Sequence, residues 1–181
     1  MEQIDIYDKN GLKLGYTEDK ELAHKNGLIH KTVHLWILND KNELLLQRRS
    51  LDNPRYPGKL EISVAGHVMA GENPVEAIKR EAFEEIGIRI NPYFLEYLFS
   101  YRHTRVMKDT YINNEISDIY IYRYNVDIKD CTFNDKAVSE VKYINYKELE
   151  NMWKNKDPEL IDHEEHYNIL FCMLEKYIIN K

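Results

Sequence analysis

Apolar residues recur at intervals of three and four through one segment of the chain: Val75, Ile78, Ala82 and Ile86 fall on one stripe of a 3.6-residue helix. The flanks predict its ends. Asn73 is an N-cap, Pro74 suits the first helical position, Glu76 completes an Asn-x-x-Glu capping box, and Gly87 supplies the left-handed residue after the last turn. A helix from about Pro74 to Ile86 follows. Alternating runs at 3–7 and 12–16 around Asn10-Gly11 predict an N-terminal hairpin, and a short helix from Thr17, its cap, to Ala23 comes next. Strands are predicted at 32–38 and 43–47, the second containing the continuous apolar run Leu44 to Leu46 that suits a strand covered on both faces. Residues 48–59, with Pro54, Pro57 and Gly58, read as a loop, and 62–65 as the strand feeding the long helix. Tyr-, Phe- and Ile-rich strands at 93–102 and 116–125 flank a polar loop or hairpin tip, with one more strand at 140–144 and a short helix at 146–153. A closing helix from Pro158 to Tyr177, capped by Asp157, would turn Leu160, Ile161, Tyr167, Leu170, Phe171 and Leu174 inward. The class is α/β, a mixed sheet between helices, read as one domain over residues 1–181 with residues 1–30 as an N-terminal hairpin and helix extension.

The 181 residues carry a net charge of −6, which argues against a nucleic-acid coat or an anionic membrane surface as partner and leaves room for a small anionic ligand. Cys131 and Cys172 show no zinc-type spacing, so a reducing cytoplasm is expected. The N-terminus lacks the basic and apolar regions of a signal peptide, and no apolar run approaches the roughly 20 residues of a membrane span. The hairpin and the closing helix could each supply a homodimer surface.

Beside the apolar stripe, Glu81, Glu84 and Glu85 share one flank of the helix. Like charges at that spacing repel by about 0.2–0.5 kcal/mol per pair. A solvated acidic face would explain them, but not Gly66, Glu72, Arg80 and Gly87 at fixed distances. A hard divalent cation, which prefers carboxylate oxygens, explains the grouping better.

Residues 66–88 resemble the Nudix box, G-x5-E-x7-R-E-U-x-E-E-x-G-U, at Gly66, Glu72, Arg80, Glu81, Glu84, Glu85, Gly87 and Ile88, with a small Ala82 at the first apolar position. The resemblance implies an α/β/α sandwich. It also implies that Glu81, Glu84 and Glu85, with Gly66 at the strand-to-loop turn beside them, hold Mg2+ or Mn2+ against a diphosphate. Arg80 would pair with Glu72 and orient the glutamates. Residues 27–72 and the later INNEISDIYIY are similar to the branch of the family containing isopentenyl-diphosphate isomerase and its hydrolase relatives. The isomerases carry a catalytic cysteine just before the first box glycine, where this chain has Ala65, and their box is degenerate where this one is complete. Both departures point to hydrolysis. His24, His30, His67, Asn113 and Glu115 match the isomerases' metal ligands; read singly, His24 is expected to be a satisfied core or surface residue, and His67 a metal or substrate contact. Arg49 matches a diphosphate-binding arginine. Only one of Arg48 and Arg49 can point inward on a strand, and Arg55 or Lys59 would replace the family's nearby lysine, which falls on Asn53.

These residues predict a metal-dependent hydrolase of a diphosphate linkage in a small nucleoside diphosphate derivative or prenyl diphosphate. A glutamate of the helix, or Glu115 in a loop, or Glu140, would take the proton of the attacking water. The alternatives are an isopentenyl-diphosphate isomerase and a non-catalytic nucleotide-sensing domain.

Overall fold

The computed structural model describes residues 2–53, 55–108, 111–133, 137–162 and 164–178. Strands β1 (Gln3–Tyr7) and β2 (Lys13–Asp19) form the predicted hairpin, closed by the Asp8 carboxylate accepting from the Asn10 and Leu12 amides. Helix α1 (Lys20–Asn26) starts later than expected. Thr17 pairs with Asp5 in the hairpin, and Asp19 caps the helix by accepting from the Glu21 and Leu22 amides. The ladder holds Thr17 in extended backbone, where it cannot open a helix.

The larger sheet runs β5 (Leu60–Glu61), β4 (Glu43–Arg49), β3 (His30–Leu38), β8 (Tyr111–Arg123), β7 (Leu95–Lys108), with β6 (Val64–His67) also pairing with β3 and β9 (Val138–Asn145) with β4. β3 and β8 pair in parallel and the other strand pairs described are antiparallel, so the sheet is mixed. Side chains of β3 alternate between two cores. Val33, Leu35 and Ile37 pack with Ala77, Ile78, Ala82 and Ile86 of α2 (Pro74–Ile86), whereas Trp36 and Leu38 pack with Tyr167, Leu170 and Phe171 of α4 (Glu164–Met173). Helix α3 (Tyr146–Lys154) adds Leu149 to the second core. This is an α/β/α arrangement.

Helix α2 has the predicted bounds, with Asn73 accepting from the Val75 and Glu76 amides and Gly87 at φ 74°. Its buried stripe begins at Ala77 and Ile78; Val75 stays half-buried at the helix entry, and the Glu76 carboxylate pairs with Lys79 Nζ at 3.1 Å. Two further expectations are corrected. The polar stretch before Ile116 is strand rather than loop, because β7 and β8 extend as a long hairpin whose polar face lines a cleft; its tip at 109–110 lies outside the described residues, as does Pro54. The closing helix begins at Glu164, since the 159–161 segment pairs with Leu60: the Leu60 amide donates to Glu159 O (2.7 Å) and the Ile161 amide to Leu60 O (3.0 Å). Leu160 and Ile161 are therefore buried from extended backbone, and Asp157 caps a turn at Glu159. His163 and the side chain of Tyr177 lie outside the described residues.

Candidate active site

Strand β6 separates two groups of polar side chains. Gly66 faces α2: a Cβ there would lie 2.0 Å from Glu81 Cδ, so the absent side chain is what lets Glu81 lie against the strand. Gly66 itself is strand, and the turn comes after His67. Arg80 gathers the box. Its Nε and Nη2 donate to Glu72 (3.1 and 3.0 Å), Nη1 donates to Glu81 (2.7 Å) and Glu84 (3.1 Å), and Nη2 also reaches His67 O (2.8 Å). Glu85 Oε2 accepts from the Ala65 amide (3.2 Å) and Gln47 Nε2 (3.3 Å). Burial, with repulsion from Glu81 and Glu61, pushes the Glu85 carboxyl well above the usual range. Burial likewise raises Glu81, against the pull of Arg80. A cation beside these carboxylates would remove that strain, so the donor set fits a hard divalent ion.

On the opposite face of β6, Ala65 and His67 line a cleft of about 470 Å³ with Thr32, His34, Arg49, Glu61 and Glu115. Four elements converge at one end of it. His24 comes from α1, His30 from the start of β3, His67 from the end of β6 and Glu115 from β8; one donor atom from each lies within 4.8 Å of the others. Sheet register places Glu115 beside both His30 and His103. Glu115 is thus a buried strand residue, not a loop acid. Burial opposes its charge, but His103 at 3.2 Å and His30 at 3.7 Å hold its carboxyl well below the usual range. Burial, and repulsion from His30 on protonation, lowers His24 to about 4; burial lowers His67 to about 3. Both are therefore neutral imidazoles near pH 7, the form that ligates metals. His24 Nε2 and His67 Nε2 face each other at 3.0 Å, His30 Nδ1 is taken by Leu28 O at 2.9 Å, and buried His30 Nε2 has no hydrogen-bond partner. Three imidazoles and one carboxylate with an orphaned nitrogen fit a divalent transition metal. His24, expected to be a satisfied residue, belongs to this cluster.

Other expectations part here. Arg49 lines the cleft, but Arg48 does not: it is tied to Glu140 (2.9 Å), Glu159 (3.2 Å) and Gly58 O (2.7 Å). Glu140 is consequently Arg48's partner on the surface, away from the cluster, and not a rival to Glu115. Lys59 lines a separate depression with Trp153 and Lys154. Neither strand alternation nor composition pointed to His103, which only the β7–β8 register brings to Glu115.

Fold and site together define an α/β protein that sets helix carboxylates beside a polar cleft, and the comparisons give its family. The NUDIX domain family matches residues 28–163. The chain belongs to the Nudix family, whose hydrolases generally need divalent metal ions. It is 33% identical over 167 residues to Nudix hydrolase 3 of Arabidopsis thaliana, covering 90% of this chain but only 22% of the plant protein. It is 31% identical to isopentenyl-diphosphate Delta-isomerase 1 of Photorhabdus laumondii, with 87% of each chain covered. Among solved structures, DR0079 of Deinococcus radiodurans superimposes with a TM-score of 0.68 at 20% identity, covering 94% of this chain and 99% of that one. No helix among the described residues is long and apolar enough to cross a membrane.

Proposed function

We propose that this chain hydrolyses the diphosphate linkage of a small molecule, a nucleoside diphosphate derivative or a prenyl diphosphate, with Mg2+ or Mn2+ at the box. The observation that carries this reading is the complete set Glu81, Glu84 and Glu85, the first two tied with Glu72 by Arg80 and the third held by the Ala65 amide, next to a cleft where Ala65 presents only a methyl group. Glu81, Glu84 and Glu85 would hold the cation, which when bound neutralises phosphoryl charge and acidifies water. Arg80 locks the carboxylate rotamers through its fork onto Glu72. Across β6, His24, His30, His67 and Glu115 would hold a second cation of more imidazole-loving type. Glu115, which lines the cleft, would either hold that cation or take the proton of the attacking water. The two free cysteines, Cys131 and Cys172, fit a reducing cytoplasm.

The histidine cluster, which the isomerases share by resemblance, favours isomerisation of isopentenyl diphosphate as a second reading. Against it, Ala65 has no proton to exchange with a carbocation-like centre. The deciding experiment follows release of phosphate or of phosphomonoester products across a panel of prenyl diphosphates, nucleoside diphosphates and their sugar conjugates, with and without Mg2+. Metal-dependent release from at least one is expected. Dimethylallyl diphosphate formed from isopentenyl diphosphate, without phosphate release, would reverse the assignment, and silence throughout would make the chain a binding domain.

A further inference from the structure

Strand register sets Glu115 between two imidazoles. Across the parallel β3–β8 ladder its partner is His30, and across the antiparallel β7–β8 ladder it is His103. Side chains directly opposite one another on adjacent strands are within reach of contact. The carboxylate is divided between them: Oε1 lies 3.7 Å from His30 Nε2, and Oε2 lies 3.2 Å from His103 Nε2. Among the described residues these two imidazoles are the groups within ion-pair distance of a glutamate that is only 6% exposed.

The two neighbours differ. His30 belongs to the cluster of donor atoms with His24 and His67, whereas His103 stands outside it. The His103 ring stacks on Tyr101, two residues back on the same face of β7, with centroids 5.1 Å apart and planes inclined by 18°. That contact restrains the plane in which the ring nitrogens lie. His103 Nδ1 is buried with no hydrogen-bond partner among the described residues, so nothing there accepts a proton, and Nε2 carries the hydrogen that faces the carboxylate. A glutamate needs such an anchor, because its terminal torsion is broad and would otherwise let the two oxygens wander.

We propose that His103 is a positioning residue: from outside the cluster its Nε2–H holds Glu115 Oε2, so that Oε1 stays toward the point shared by His24, His30 and His67. This rests on the reading of the cluster as a cation site, to which His103 contributes no ligand atom. Partners of this kind orient ligating carboxylates, and losing one weakens the metal although every ligand remains.

The test is competition between the full chain and a fluorescent chelator for Zn2+, using the wild type, His103→Phe, His103→Gln, Glu115→Gln and the double variant of His103→Phe with Glu115→Gln. His103→Phe keeps a ring against Tyr101 but has no N–H, and it is expected to bind Zn2+ about tenfold to a hundredfold more weakly than the wild type. His103→Gln, whose amide restores a donor, should lose less. In the Glu115→Gln background His103→Phe should cost nothing further, because His103 acts through Glu115. Wild-type affinity in His103→Phe, an equal loss in His103→Gln, or losses that multiply in the double variant would overturn the assignment. Should His103→Phe fail to fold by circular dichroism, His103→Ala takes its place under the same criteria. His30→Ala is expected to lose Zn2+ binding outright. A wild type that binds no Zn2+, or a His30→Ala variant that binds it as the wild type does, would remove the cation reading of the cluster, and the role of His103 with it.

Discussion

Gly66 lacks a side chain because Glu81 fills the space one would need. Substituting alanine does not threaten the strand, since Gly66 carries no positive φ and pairs with Val33 in an ordinary ladder. The Glu81 carboxylate must move instead, and with it the contact to Arg80. Gly66→Ala is therefore expected to lower turnover by about tenfold or more, as when a metal site loses its supporting contacts, while circular dichroism stays unchanged; wild-type kcat would show that Glu81's place does not matter. Glu84 differs from its neighbours in being exposed, with Arg80 as its partner. Glu84→Gln keeps the shape and removes the charge, so kcat at saturating Mg2+ should fall by orders of magnitude with the melting temperature preserved. Full activity in that purified variant would dismiss the box from catalysis.

Helix α2 is specified locally: both ends are set by residues next to it, and its apolar stripe needs only to meet the sheet. Removing the Asn73 cap should cost about 1 kcal/mol, measurable in a urea titration as a shifted midpoint with an unchanged slope. No shift would mean that the Val75 and Glu76 amides find other acceptors. The extended elements are less self-contained. Thr17 has a capping residue's chemistry, yet the ladder with β1 claims it, and residues 159–161 have helical apolar spacing, yet Leu60 pairs with them. In both places a competing strand partner, distant in sequence, outweighs a local preference. The β7–β8 hairpin shows the converse: Thr104, Arg105 and Asn113 look like loop residues because their strands face a polar cleft rather than a core.

At the scale of the molecule, four elements must dock correctly before His24, His30, His67 and Glu115 meet. Such a site stabilises the assembled fold by whatever its occupant contributes. The wild type dialysed against Mn2+ or Zn2+ should retain a cation by elemental analysis and melt at a higher temperature than chelator-treated protein. His30→Ala should lose that retained equivalent, whereas Glu84→Gln, across β6, should keep it. Equal retention in wild type and His30→Ala would place the cation elsewhere.

The box helix, its caps and its acid register could be read directly along the chain, because a helix brings residues three and four apart together whatever surrounds it. The sheet's mixed character and most strands were legible for a similar reason, alternation of apolar and polar side chains. Contacts between strands were not. Which face of β6 each residue serves, why Arg49 and not Arg48 reaches the cleft, and why Glu115 rather than Glu140 meets the histidines all depend on pairing between segments far apart in the chain. That pairing is fixed by burial of two cores against one sheet, a property of the packed molecule and of no single stretch within it.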